Sequence, residues 1–263
     1  MVALKKLVLG ILGVNSKNLV YQSFNLDNEL SKVNPVKALT SGKFTANDIG
    51  KTVYLSNSAS TCQEWIIAGL NHDNTSGTVD LISKYVMYDS STIIINNTSG
   101  SSRKYHMYFG DNIGYEKSLI RTHFNDRYYN SFANEIKELI KTQNTACNIS
   151  EVYQDKVKLP SLTELGCRVS YKQYTSGSHG YNLIDSVSDS YSEGTVYPLF
   201  DIGQTGPNQN AIGMKSNGTA VNSYTRSQHI DHNTIYAISS SGVASLSVPP
   251  TDTTTYPRAI IRF

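Results

Sequence analysis

The chain has 263 residues, 39% apolar and only 17% charged, with a formal net charge of +2. That length buries a proper core without covalent staples, and so small a charge excludes the concentrated basic face of a general nucleic-acid binder. Three cysteines, Cys62, Cys147 and Cys167, cannot all pair and none forms a C-x-x-C, which argues for reduced thiols made in a bacterial-type cytoplasm and against a disulfide scaffold or a zinc site.

The first segment, "MVALKKLVLGILGVNS", imitates a signal peptide, with Lys5 and Lys6 ahead of an apolar run over 7–14. The run is short for a signal core, lacks a small-x-small cleavage site and cannot span a bilayer. Leu7, Val8, Leu9, Ile11, Leu12 and Val14 are therefore expected to dock on a partner. Residues 1–37, closed by Pro35, read as an extended assembly arm, and residues 38–263 as one domain.

In the stretch 48–57, Val53 and Leu55 alternate with polar residues, which predicts a strand. Residues 62–88 predict two strands joined by an Asn-Asp-Gly-rich turn. A short buried strand is expected at 93–95. Leu119, Ile120, Phe124 and Tyr128 recur at helical spacing, with Asp111 or Asn112 as the expected cap. A second helix is expected to start at Asn130 or Ser131 and to bury Phe132, Ile136, Leu139 and Ile140. The pair reads as scaffold: His123 is a helix-face or hydrogen-bonded histidine, and Arg121, Asp126 and Arg127 form a solvated face or a buried network that fixes the helices. Residues 155–167 predict a strand, a break at Pro160 and a helical turn begun by Ser161.

Beyond residue 170 the text changes. Residues 171–263 hold 11 charged side chains and eight tyrosines among Gly, Ser, Thr and Asn. This is loop-dominated sequence with short strands. Tyr, Ser, Gly and Asn are the residues of rigid yet adaptable recognition surfaces.

The spacing Tyr115-x-x-Ser118-x-x-Arg121-x-x-Phe124-Asn125, followed by Tyr128-Tyr129-Asn130-Ser131-Phe132, resembles the signature of domain-of-unknown-function family 6273. "EWIIAGLN" and "TVDLISKYV" upstream, then "DKVKLPSLTELG", "SYTRSQ" and the closing "YPRAIIRF", fall in the family's order. Tyr115 and Tyr224 stand where the family has tryptophan, and Pro257 precedes Arg258 where it more often has Arg-Pro. The resemblance implies an α+β, C-type-lectin-like domain: small twisted antiparallel sheets, two flanking helices and long C-terminal loops that display a binding surface. It also implies the setting in which such domains are common, phages and mobile elements of Gram-positive bacteria.

Enzyme chemistry finds little support in the residues. No G-x-S-x-G, P-loop, H-E-x-x-H or paired-acid glycosidase motif is present. The lone cysteines do not match the paired thiols of the fold's formylglycine-generating enzymes. "GPNQN" has a calcium-lectin flavour without enough oxygen ligands, and "RSQHIDHN" reads better as an exposed polar loop than as a metal site. Neither a metal nor a cofactor is expected.

The expected function is a non-enzymatic structural protein of a phage or phage-tail-like particle, localised to the virion. A tail or baseplate adhesin is favoured over a capsid decoration protein. Its partners would be other virion proteins, copies of itself and a host envelope glycan or protein, with no nucleic acid and no membrane insertion. The candidate ligand-binding residues are Tyr171, Tyr174, His179, Tyr181, Tyr191, Asn208, Gln209, Asn210, Tyr224, Arg226, His229, Asp231 and His232. The alternatives are a bacterial surface or mobile-element binding domain without a particle and, last, a formylglycine-generating-type enzyme.

Overall fold

Asn71, Asp73 and Asn74 all lie in the left-handed region, with φ of 52°, 54° and 58°. Asn and Asp tolerate that region best among residues that carry a side chain, and here they close the expected hairpin. The Asn71 side-chain oxygen accepts from the Gly77 N–H at 2.7 Å. Strand β3 (Cys62–Leu70) then returns antiparallel as β4 (Val79–Ser83), with a bulge between Ile67 and Gly69. The computed structural model describes residues 21–22, 44–56, 62–87, 115–147, 151–167, 193–201, 207–228, 235–244, 246–248 and 254–263.

Around this hairpin a six-stranded antiparallel sheet is built in the order β1-β2-β3-β4-β13-β7. The remaining members are β1 (Tyr21–Gln22), β2 (Thr52–Ser56), β7 (Val157–Lys158) and the C-terminal strand β13 (Ile260–Arg262). Side chains alternate across a strand, and both faces are covered. Ile67, Leu81 and Ile261 join the core that contains Ile120, Phe124, Tyr128 and Ile136. Their neighbours Ala68, Ile82 and Ile260 join Leu162, Leu165, Tyr197, Phe200 and Ile238 on the other side.

A second sheet runs β11 (Leu246–Val248), β10 (Ile235–Ile238), β9 (Ala220–Gln228), β12 (Thr255–Tyr256), with β8 (Gly213–Met214) also on β9. The β9–β12 contact is parallel. A separate hairpin pairs β5 (Gln143–Cys147) with β6 (Glu151–Asp155). The chain is thus mixed α+β with small, mostly antiparallel sheets. No helix among the described residues is long and apolar enough to cross a membrane.

The helix pair is present, with both starts displaced from expectation. Helix α1 comprises Leu119–His123, a wider π turn Phe124–Tyr128, and Tyr129–Ser131. Its cap is Ser118, whose Oγ accepts from the Arg121 N–H at 3.2 Å; Asp111 and Asn112 lie outside the described residues. Asn130 and Ser131 belong to α1 and do not begin the second helix. Phe132 turns extended instead (ψ 150°), which sets its ring against Tyr128, edge-on at 5.3 Å, and near Trp65 at 6.0 Å. Helix α2 (Asn134–Leu139) follows with Ala133 at its N-cap and no side-chain cap.

Two residues of the expected arm, Tyr21 and Gln22, pair with Tyr54 and Val53 at the edge of the domain's own sheet. The apolar arm residues Leu7, Val8, Leu9, Ile11, Leu12 and Val14, and the strand expected at 93–95, lie outside the described residues.

Candidate functional site

Ser161-Leu162-Thr163-Glu164 is a capping-box sequence, and it folds as one. The Glu164 N–H donates to Ser161 Oγ (3.0 Å), while the Ser161 N–H donates to Glu164 Oε2 (3.1 Å). The same carboxylate carries two cations. Arg226 grips it with both Nη atoms at 2.6 and 3.0 Å, and Lys158 Nζ stands 2.7 Å from Oε1. All three side chains are essentially inaccessible. Burial works against the charge, but Arg226 and Lys158 hold the Glu164 carboxyl down at about 2. Arg226 also donates to the carbonyls of Ala146, Leu159 and Glu193, and Ser227 Oγ donates to the Glu193 carboxylate. One guanidinium thereby ties β9 to β5 and to the segments after β7 and before Gly194.

A second polar cluster lies at the β3–β4 turn. Arg262 grips Asp80 through Nε and Nη2, both at 2.6 Å. His72 stacks on Tyr197, with ring centroids 3.7 Å apart. Its Nε2 lies 2.9 Å from both the carbonyl and the hydroxyl oxygen of Thr195. Its Nδ1 is 3.1 Å from Asp73 Oδ2 and 3.7 Å from Asp80 Oδ2, off line for a hydrogen bond. Burial opposes ionisation of Asp73, yet His72, Lys158 and the Thr195 hydroxyl hold its carboxyl well below the usual range.

A hydroxyl, an imidazole and a carboxylate in reach of one another invite comparison with a nucleophile triad. The arrangement differs from a triad, because the carboxylate lies 2.9 Å from the Thr195 hydroxyl itself and competes with the imidazole for its proton. The cluster is a clip that holds Thr195 and Tyr197 on the β3–β4 turn. Cys147 and Cys167 are buried, and burial pushes both thiols up to about 12. A thiol held that far above neutrality supplies no thiolate for attack. His123 is buried, and burial, helped by Arg127, lowers it to about 4, so it is a neutral packing group near pH 7.

The motif residues around α1 also act as ties. Arg121 Nε and Nη2 each lie 2.8 Å from Asp155 Oδ1. Asn125 donates to Val157 O (2.9 Å) and accepts from the N–H groups of Lys156 and Val157 (2.7 and 3.1 Å), latching α1 to the β6–β7 link. Tyr115 Oη accepts from the Leu159 N–H at 3.1 Å. Of the three charges weighed at this stretch, Arg121 belongs to a network, whereas Asp126 and Arg127 are exposed.

The candidate ligand-binding residues divide into three groups. Tyr224, Arg226 and Asn208 are interior, at 0%, 1% and 1% exposure, which corrects their expected place on a binding surface. Arg226 is consumed by Glu164. Asn208 is consumed by backbone, its amide donating to Leu165 O (2.9 Å) and Phe200 O (2.8 Å). Gln209 and Asn210 are exposed, on a 3-10 turn fixed by Gln209 Nε2 to Ser241 O (3.2 Å) and Asn210 Nδ2 to Leu199 O (2.9 Å). Tyr171, Tyr174, His179, Tyr181, Tyr191, His229, Asp231 and His232 lie outside the described residues.

The turn Ser239–Gly242 brings exposed Ser240 and Ser241 beside Gln209, a contribution that the sequence reading missed. Its signal was the run "SSSG". Gly242 has φ of +82°, and a Cβ there would stand 2.6 Å from Asn208 O. Pro207, Gln209, Asn210, Ser240 and Ser241 therefore make an uncharged rim of amides and hydroxyls, the candidate ligand-facing surface among the described residues.

The family model described as Domain of unknown function (DUF6273) matches residues 77–255, more than half of the chain. The chain belongs to the DUF6273 family. The DUF6273 match includes both ion clusters apart from His72, Asp73 and Arg262, and it includes the rim. It excludes β1, β2, β3 and β13, so the central sheet of this DUF6273 protein is completed by strands from both flanks of the match. No curated protein and no solved structure matches the chain.

Proposed function

We propose that the chain is a non-catalytic binding protein with a C-type-lectin-like fold, mounted on the surface of a phage or phage-tail-like particle. In this reading a tail or baseplate adhesin comes before a capsid decoration protein. The observation that carries the non-catalytic part is where the reactive groups go. Glu164 is buried with Arg226 and Lys158, and Asp80 with Arg262; Asp73 competes with His72 for the Thr195 hydroxyl proton, and the two described thiols are inert. What faces outward at the rim is Gln209, Asn210, Ser240 and Ser241. Neutral amides and hydroxyls on a rigid turn suit hydrogen bonding to a glycan or a polar protein surface.

The lectin-like fold is supported by the C-terminal strand seated inside the main sheet and by the helix pair packed on one of its faces. The particle setting is supported by family membership together with the apolar arm sequence.

The test is binding of the labelled full chain to envelopes of the host strain, paired with immunogold labelling of its particles. Wild-type chain should bind envelopes and antibody should decorate particles, and Gln209→Ala with Asn210→Ala should weaken envelope binding at least about tenfold, the scale of one or two lost hydrogen bonds. Unlabelled particles, or full envelope binding by the double variant, would sink the respective half of the proposal.

A further inference from the structure

Three arginines are buried among the described residues, and two of them sit on carboxylates, Arg226 on Glu164 and Arg262 on Asp80. Arg258, 2% exposed, does not. Its Nε donates to Ser83 O at 3.0 Å, and Nη1 reaches Ile212 O only at 3.5 Å, the long limit of a hydrogen bond. Among the described residues its Nη2 has no partner and no carboxylate faces it. The electrostatics agree: carboxylates raise Arg226 and Arg262 above the usual arginine range, whereas burial alone pushes Arg258 down to about 10. A cation taken out of water without a counter-charge is strongly disfavoured. The fold nevertheless builds one.

The surroundings have unused capacity too. Ser223 is buried, and its hydroxyl has no partner among the described residues. It pairs with Tyr256 in the parallel β9–β12 ladder, two residues before Arg258. Gly213, next to Ile212, is closely packed, since a Cβ there would stand 2.9 Å from Ser223 Cβ and 2.8 Å from Val86 Cγ1, so Ser223 lies against the Ile212–Gly213 segment that Arg258 reaches. Lys215 Nζ stands 5.0 Å over the ring of Tyr256, two residues before Arg258. Four chain segments thus converge on one cation and one spare hydroxyl.

We propose that Arg258 is the centre of an oxyanion-recognition site, taking a phosphate or carboxylate group carried by a ligand. The planar guanidinium fork matches either group in bidentate fashion, and the Ser223 hydroxyl supplies a further donor. The occupant provides the counter-charge that no described residue supplies. Arg258 adjoins the Gln209–Asn210 turn through Ile212, whose N–H donates to Gln209 O, but the site uses none of the rim's side chains and holds or fails independently of that surface.

The test uses the full chain at constant ionic strength, with chloride replaced in turn by phosphate and by acetate. Thermal unfolding and the side-chain 15N resonance of Arg258 are followed together. Saturating anion should raise the unfolding midpoint by about 5 °C and move the Arg258 resonance while leaving those of Arg226 and Arg262 in place. Arg258→Met should not respond. Should that variant fail to fold, Arg258→Lys, which keeps the charge and loses the fork, should bind at least tenfold more weakly, and the wild-type resonance decides in any case. A response to phosphate alone assigns a phosphate-bearing ligand, and a response to acetate alone a carboxylate. An unmoved Arg258 resonance in both anions, or an equal midpoint rise in Arg258→Met, overturns the proposal.

Discussion

Glu164 answers to three partners at once, the Ser161 cap, Lys158 and Arg226, so its loss would unpair all three. Removing one member of a buried ion cluster leaves the others charged and unpaired, which costs about 3–5 kcal/mol. Glu164→Gln keeps the shape and removes the charge, so it should lose stability on that scale in denaturant unfolding. Changing Lys158→Met in the same chain should recover part of the loss, as coupled sites do. The pH dependence has a definite sign. The carboxyl sits at about 2 in the fold against 4.5 ordinarily, so its contribution is complete above 4.5 and is lost as pH falls through about 2. The variant should therefore lose less stability than the wild type between those limits. An unchanged acid limb would show that Glu164 contributes nothing. The S-x-x-E spacing was legible in the sequence, because a cap is a local device. The Arg226 partner was not, since 62 residues separate it from Glu164 and nothing in a single sequence marks a long-range ion pair.

At the scale of elements, local periodicity served well wherever one face of an element is buried. The β3–β4 hairpin, β2 and both helices were readable for that reason. Helix starts were not, because Ser118 and Asn112 are equally good caps by type, and only packing decides between them. Nor is a π turn visible in a periodic pattern. It widens α1 over Phe124–Tyr128, a stretch that begins with the buried Phe124 and ends with the buried Tyr128. The scaffold reading of the pair predicts that Phe124→Ala and Ile136→Ala, both at 0% exposure, each cost about 2–5 kcal/mol, the range for emptied core sites. His123→Gln should leave envelope binding intact, because a neutral buried ring near α1 touches no ligand. Thermal unfolding checks the first pair, and the binding assay checks the third. Full stability of both alanine variants would mean that the helices are not what holds the sheet's inner face.

For the molecule as a whole, the decisive feature is one that no local pattern encodes. The last strand, β13, enters between β4 and β7, so the C-terminus closes the sheet that the N-terminal strands begin. On the opposite edge, Tyr21 and Gln22 of β1 pair with β2. The sequence before β1 carries the apolar run over 7–14. Burying that run against a partner at roughly 25 cal/mol per Å² would contribute several kcal/mol, enough to offset the ordering of a short segment. A strand at a sheet edge is also well placed to add to a neighbour's sheet. Deleting residues 1–37 should therefore leave residues 38–263 folded, with β2 as the new edge, but abolish self-association and attachment to particles. Solution mass and particle incorporation of the shortened chain are the measurements. A shortened chain that still assembles and attaches would make the arm no more than a cover for the β2 edge. One that fails to fold would make it part of the core.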